Sequence, residues 1–158
     1  MNIELSNQDI AILDLLQSNA SLSSSQIAEK INLSQSPCWR RINRIEKSGL
    51  IKKRVALLDR TALGMELVIF ASVKLTSAAR LNMAAFEADI VRHTEVQECY
   101  TIAGIWDYMI KIVTKDIRHY EQFVRNTLTM NSAIAELNSH IAVTEIKNST
   151  ELPIQTQM

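Results

Sequence analysis

Apolar residues recur at three- and four-residue intervals through the first fifty positions and then change rhythm. Ile10, Leu13 and Leu16, with Ile12 beside them, form one helical stripe. Ser6 followed three residues later by Asp9 is a capping box with Asp in the usual Glu position, so a helix opens there and runs to about Asn19. Ser23 and Gln26 repeat the pattern ahead of Ile27, Ala28 and Ile31, a short helix that stops near Asn32. Ser34 opens a third helix. Pro37 falls in its first turn, where a missing N–H removes no intrahelical bond. Cys38, Ile42 and Ile45 supply its inward stripe, and Gly49 stands where a left-handed residue ends a helix. Helix, short helix, brief turn, helix is the helix-turn-helix order. Leu50 to Leu58 reads as extended, a wing or a connecting strand, and residues 59–64 mark the passage to a second pattern.

That second pattern alternates strand and helix. Leu67 to Leu75 is apolar and rich in β-branched residues, a strand buried on at least one face. Leu81, Ala84, Ala85, Ala88 and Val91 repeat at helical spacing up to His93 and are the expected inward face of a helix. Strands are expected from Val96 to Gly104 and from Trp106 to Thr114, with a tight turn over Gly104–Asp107. Asp116 caps a helix with Ile117, Tyr120, Val124 and Leu128 inward, and Ser139 to Lys147 is the expected last strand. The order βαββαβ is ferredoxin-like. The expected class is therefore α+β: a (winged) helix-turn-helix over residues 1–50, a connecting strand or linker over 51–64, and a βαββαβ domain over 65–158.

Net charge is zero, yet the charges are segregated. Between Lys30 and Arg54 stand eight basic residues and one acid, Glu46, a local charge of +7; from Thr61 onward acids outnumber bases by 11 to 8. One end of the chain is built to meet an anion. On the third helix Ser36, Arg40, Asn43, Arg44 and Lys47 share the side opposite Cys38, Ile42 and Ile45. A recognition helix needs that division. Arginine pairs bidentately with guanine and asparagine with adenine, so Arg40, Asn43 and Arg44 are candidate base readers. Arg41, Lys47, Lys53 and Arg54 suit phosphates. Ser34, Gln35, Ser36 and Pro37 lie at the helix N-terminus, where free N–H groups suit a phosphate as well. Trp39 shields the helix flank or touches a thymine methyl. The bland alternative is a solvated basic face. The capped short helix before it and the basic stretch after it favour DNA.

No apolar run reaches the ~20 residues of a membrane helix, and MNIELSNQDI lacks the basic and apolar regions of a signal peptide, so a cytoplasmic protein is expected. Cys38 and Cys99 are far apart, and with three scattered histidines they give no metal-site spacing. An enzyme on a ferredoxin-like fold is the competing class. His93, His119 and His140 lie near no nucleophile in a recognisable arrangement, and three glycines form no phosphate loop. No catalytic residue, metal or cofactor is expected.

The stretch LSQSPCWRRINRIEKSGLIKKRVALLD (Leu33–Asp59) resembles the DNA-binding region of the Lrp/AsnC, or feast/famine, family. TIAGIWDYMIKIVTKDIRHYEQFV (Thr101–Val124) resembles that family's ligand-sensing domain, where a G-x-x-D-Y turn precedes the third strand, and EIKNSTELPI resembles its ending. The resemblance covers nearly the whole chain. It implies a sequence-specific, DNA-binding transcriptional regulator of amino-acid metabolism or transport, bacterial-type and nucleoid-associated. It also implies a homodimer assembling into an octamer (a tetramer of dimers), with a small effector, commonly an amino acid, bound between dimers near the turn. Thr101, Gly104, Asp107 and Tyr108 match the motif and are the candidate pocket, with Ser139 on the last strand. A carboxylate such as Asp107 suits an α-ammonium, and Gly104 lets backbone approach a ligand; the plain alternative is an ordinary β-turn. Cys38 is either a thiol or redox sensor near a helix N-terminus or a small buried hydrophobe. An effector-independent, architectural DNA-wrapping protein is the alternative function.

Overall fold

The computed structural model describes residues 4–154. The chain forms two compact units, one from the stretch up to Leu57 together with the stretch from Lys147, the other from Leu58–Ile146. In the first unit α1 (Asn7–Ser18), α2 (Ser24–Lys30) and α3 (Gln35–Lys47) follow the expected order. Both capping boxes form: the Ser6 and Ser23 hydroxyls accept from the backbone N–H of Asp9 and Gln26, whose side chains reach back to the cap N–H. Ser34 is the α3 N-cap by backbone geometry alone, without a side-chain cap bond. Ile12, Leu13, Leu16, Ile27, Ala28, Cys38, Ile42 and Ile45 close one core. Gly49 follows the α3 C-cap, Ser48, with φ +79°, a conformation that glycine enters without steric cost.

One feature of this unit narrows the sequence expectation and another departs from it. The stretch Leu50–Leu58 has no strand partner among the described residues and serves as a connection. Arg54 holds it, donating to the Ala20 carbonyl at 2.9 Å and to Glu46 at 2.8 Å. The tail, expected with the second domain, belongs to the first unit from Lys147 on. The Gln17 side-chain amide satisfies both the N–H and the C=O of Leu152, each at 3.0 Å, and Ile154 packs against the helical core.

The second unit is a four-stranded antiparallel sheet in the order β2-β3-β1-β4, with β1 (Leu67–Leu75), β2 (Val96–Thr101), β3 (Tyr108–Thr114) and β4 (Ile134–Ile141). Short α4 (Ser77–Arg80), α5 (Met83–Ile90) and α6 (Ile117–Phe123) complete the βαββαβ plan. Ile69, Ala71, Val73 and Leu75 of β1 meet Phe86, Ile90, Tyr120, Phe123 and Leu128 in a single core.

The alanine-rich stripe turns out to face away. The helix breaks after Arg80, and α5 buries Phe86 and Ile90, leaving Leu81 90% and Val91 71% exposed. Phe86 carries far more apolar area than the alanines, so its face wins the sheet. In α6 Ile117 is exposed and Phe123 is buried instead. A π-helical turn over Val124–Leu128 adds the residue that brings Phe123 and Leu128, five apart, to one side. The last strand begins five residues earlier than expected and ends at Ile141. Ile141 is opposite Ile69, and Ala142 bonds Val68 near the start of β1, so there is no ladder left to continue to Lys147. The β2–β3 turn spans residues 102–107, longer than Gly104–Asp107, since β2 ends at Thr101.

Candidate nucleic-acid interface and effector turn

The outward face of α3 is built by exclusion. Cys38, Ile42 and Ile45 are taken by the core, so the intervening residues must face out. Trp39, Arg40, Asn43, Arg44, Lys47 and Ser48 line an open groove of about 690 Å³. Trp39 is 57% exposed. The Asn43 amide nitrogen is buried with no hydrogen-bond partner among the described residues. A buried donor without a partner costs stability unless water or a ligand supplies an acceptor. Ser34, Gln35 and Ser36 are exposed at the N-terminal end of the same helix, with Pro37 half-buried. Lys53 is exposed on the following stretch, whereas Arg54 is engaged by Glu46 and Ala20.

Arg41 and Arg44 carry a feature that the charge pattern did not disclose. Both reach Asp9 of α1, fully buried: Arg41 Nη1 lies 3.0 Å from Oδ1 and Arg44 Nη2 lies 2.6 Å from Oδ2. The Ser6 hydroxyl and N–H also donate to this carboxylate. Burial pushes the Asp9 carboxyl up, but the Ser6 bonds and the two guanidiniums outweigh it and hold its pKa at about 2, below 3.8. A depressed folded-state pKa contributes stability that is fully present above the unfolded value and is lost as pH falls through the folded one. The advantage of the wild-type chain over Asp9→Asn is therefore expected to be on the order of 2 kcal/mol at pH 6 and to vanish towards pH 2. Urea unfolding of both proteins at several pH values checks this; a pH-independent difference would remove the ionised carboxylate as its source.

The candidate effector residues are only partly brought together. Thr101 ends β2 opposite Tyr108 and is exposed. Gly104 has φ +132°, a conformation favouring glycine, and open space where a Cβ would stand. Asp107 closes the turn: its carbonyl accepts from Ile102 N–H, and its own N–H donates to Val73. Its Oδ2 accepts from Leu75 N–H at 2.7 Å and lies 3.6 Å from Arg80 Nε. One carboxylate oxygen is thus committed to holding the turn on β1, and no hydrogen bond reaches Oδ1 from the described residues. Tyr108 is turned into the core, 1% exposed, 4.8 Å from the Phe86 ring, and donates to Glu87 at 2.7 Å. Burial and that carboxylate push its phenol far above the usual range. Its side chain supports the turn from behind. Ser139 lies on edge strand β4, separated from β3 by β1, with its hydroxyl paired to Tyr120. One chain therefore places Ser139 apart from the turn.

Cys38 is fully buried, and burial pushes its thiol up against the opposing charge of Arg41. That favours the inert, packing role. Cys99 is half-buried and shifted the same way by burial and Glu87. His93 packs edge-on to Phe123, His119 bonds Asp116 at the start of α6, and His140 lies on β4, three separate places. Among the described residues no group of three His, Cys, Asp or Glu side chains is placed to hold a metal, and no helix is long and apolar enough to cross a membrane.

The helical unit matches the winged helix-turn-helix DNA-binding model over residues 5–52, and residues 68–152 match the Lrp/AsnC ligand-binding domain. The chain belongs to the Lrp/AsnC family. It is 38% identical over 154 residues to the transcriptional regulator AzlB of Bacillus subtilis, covering 98% of each chain. It superposes on the crystal structure of an AsnC-family transcriptional regulator from Agrobacterium tumefaciens with a TM-score of 0.89 and 34% identity, over 94% of this chain and 97% of that one. A transcriptional regulator from Neisseria meningitidis, solved in complex with L-methionine, gives the same TM-score at 31% identity, over 94% and 96%. The family thus accounts for both units: a DNA-binding helix-turn-helix and a ferredoxin-like ligand-binding domain.

Proposed function

We propose that this chain regulates transcription of amino-acid metabolism or transport genes, reading DNA with the outward face of α3 and responding to an amino acid at the residue 102–107 turn. The observation that carries the reading is the open groove over Trp39, Arg40, Asn43, Arg44, Lys47 and Ser48, which gathers three cationic side chains and an amide on one helix face. Arg40, Asn43 and Arg44 are the readers. Lys47, Lys53 and the α3 N-terminus with Ser34, Gln35, Ser36 and Pro37 meet phosphates, and Arg41 and Arg54 position the helix and the stretch after it. Thr101, Gly104 and Asp107 form this chain's part of the effector site, with Tyr108 behind them, and Ser139 would join it only from another protomer. The methionine complex of the Neisseria regulator supports an amino acid as the ligand class.

Dimers assembling further, to octamers, are part of this reading. It is supported by apolar side chains left at the surface, including Leu57, Leu58, Leu81, Val91, Val143 and Ile146. The protein works in the cytoplasm on the nucleoid. A thermal-shift screen against the twenty amino acids tests the sensor. A ligand of the folded state adds about 2.7 kcal/mol of stability at one hundred times Kd, and so raises Tm with concentration. One amino acid is expected to shift Tm and to change DNA affinity, and Asp107→Ala is expected to lose the shift while still binding DNA. No shift with any amino acid, with or without DNA, together with little sequence preference, would favour an architectural DNA-wrapping protein instead.

A further inference from the structure

The α3 arginines are not equivalent, and the difference originates on α1. Arg40 is exposed and has no ion pair among the described residues. Arg44 is half exposed at the groove, yet its Nη2 is fastened to a carboxylate with no solvent exposure. Arg41 fastens the other carboxylate oxygen and also donates to the Ser6 hydroxyl at 3.1 Å. Asp9 itself cannot swing, because it is the N3 residue of the α1 capping box. A guanidinium held at one nitrogen by a fixed carboxylate has lost most of its rotamer freedom before it meets DNA. Its remaining donors keep a set direction in the groove. Reading a base then costs less side-chain entropy, and the planar fork is offered in one orientation.

We propose that Asp9 is a specificity-positioning residue for DNA recognition, holding Arg44 as a preorganised base reader. Asp9 touches no DNA; it acts through Arg44. It also compensates part of the basic charge on α3, so that random DNA gains less from this arginine than an operator does. The inference rests on the DNA-binding face proposed above, and the test separates the two.

The operator is a duplex selected from a random pool by the wild-type full-length chain; the competitor is poly(dI-dC). Asp9→Asn keeps the shape of the capping side chain and removes its charge. It is expected to lower the ratio of operator to competitor affinity about tenfold, mostly by losing operator affinity, while competitor binding stays level or rises. Arg44→Ala is expected to lower the ratio as much, and the double variant no further, since both act through one group. An unchanged ratio in a folded Asp9→Asn protein, or additive losses in the double variant, would overturn the proposal and leave Asp9 a stabilising residue only. Should Asp9→Asn not fold, Arg44→Ala alone decides. A specific loss with an unchanged salt slope supports the proposal. Equal losses on both duplexes with a slope reduced by about 1 would make Arg44 a phosphate contact and overturn it. A wild-type chain that selects no duplex and binds neither DNA would instead overturn the DNA-binding face.

Discussion

Phe86→Ala is expected to destabilise the second unit by about 3–5 kcal/mol, the range for removing a buried phenylalanine. Phe86 is 1% exposed and is the residue by which α5 docks on the sheet. Its ring lies 4.8 Å from that of Tyr108, tilted by 49°, a pairing worth about 0.5–1.5 kcal/mol beyond area burial. Truncation empties a site walled by β-strand side chains that cannot collapse into it. It also loosens Tyr108, the residue behind the effector turn. Denaturant unfolding checks the value, with Phe86→Leu expected to cost much less because volume is largely retained. A loss under about 1 kcal/mol would mean that α5 lies on the sheet by its other face, the Leu81–Val91 stripe.

Raising salt from 50 to 200 mM is expected to weaken DNA binding about a thousandfold or more, if the working unit is a pair of helix-turn-helices. The structure sharpens this beyond a count of basic residues. Of the eight between Lys30 and Arg54, Arg41 and Arg44 are paired with Asp9, and Arg54 with Glu46. Lys30, Arg40, Lys47, Lys52 and Lys53 have no ion pair among the described residues. With Arg40 reading bases, two copies of the four lysines allow six to eight phosphate contacts, each contributing about 0.9 to the slope of log K against log salt. Fluorescence anisotropy with a labelled duplex over this salt range measures the slope. A slope shallower than about 2 would remove the α3 face as the main DNA contact.

Much of the first unit was legible because its signals are local. Ser6 with Asp9 and Ser23 with Gln26 announce helix starts within four residues, and both boxes form. Cys38, Ile42 and Ile45 repeat at helical spacing and are buried as the spacing demands. The basic outward face follows from the same periodicity. The βαββαβ order along the chain followed from the alternation of strand and helix. What escaped was a choice between faces and ends. Periodicity picked out the alanine stripe on the helix after β1, and nothing local says which face meets a sheet. The alanine stripe is regular; Phe86 and Ile90 are larger, and burial goes with size. Likewise β4 stops where β1 runs out of partners, a limit set by another strand.

The sequence by itself determined the starts of α1, α2, α3 and α6, the basic face of α3, the βαββαβ order and the glycine at the turn. Each depends on residues within one or two turns of one another, so short-range hydrogen bonding and side-chain periodicity carry the information. Only the tertiary structure decided that Asp9 captures Arg41 and Arg44 across some thirty positions, that Asp107 spends Oδ2 on Leu75, that Tyr108 faces the core, and that the tail joins the helical unit. Those are partnerships between residues far apart in the chain. A charge or a polar edge records what a residue can bind, and the packing of the elements around it settles which partner it gets.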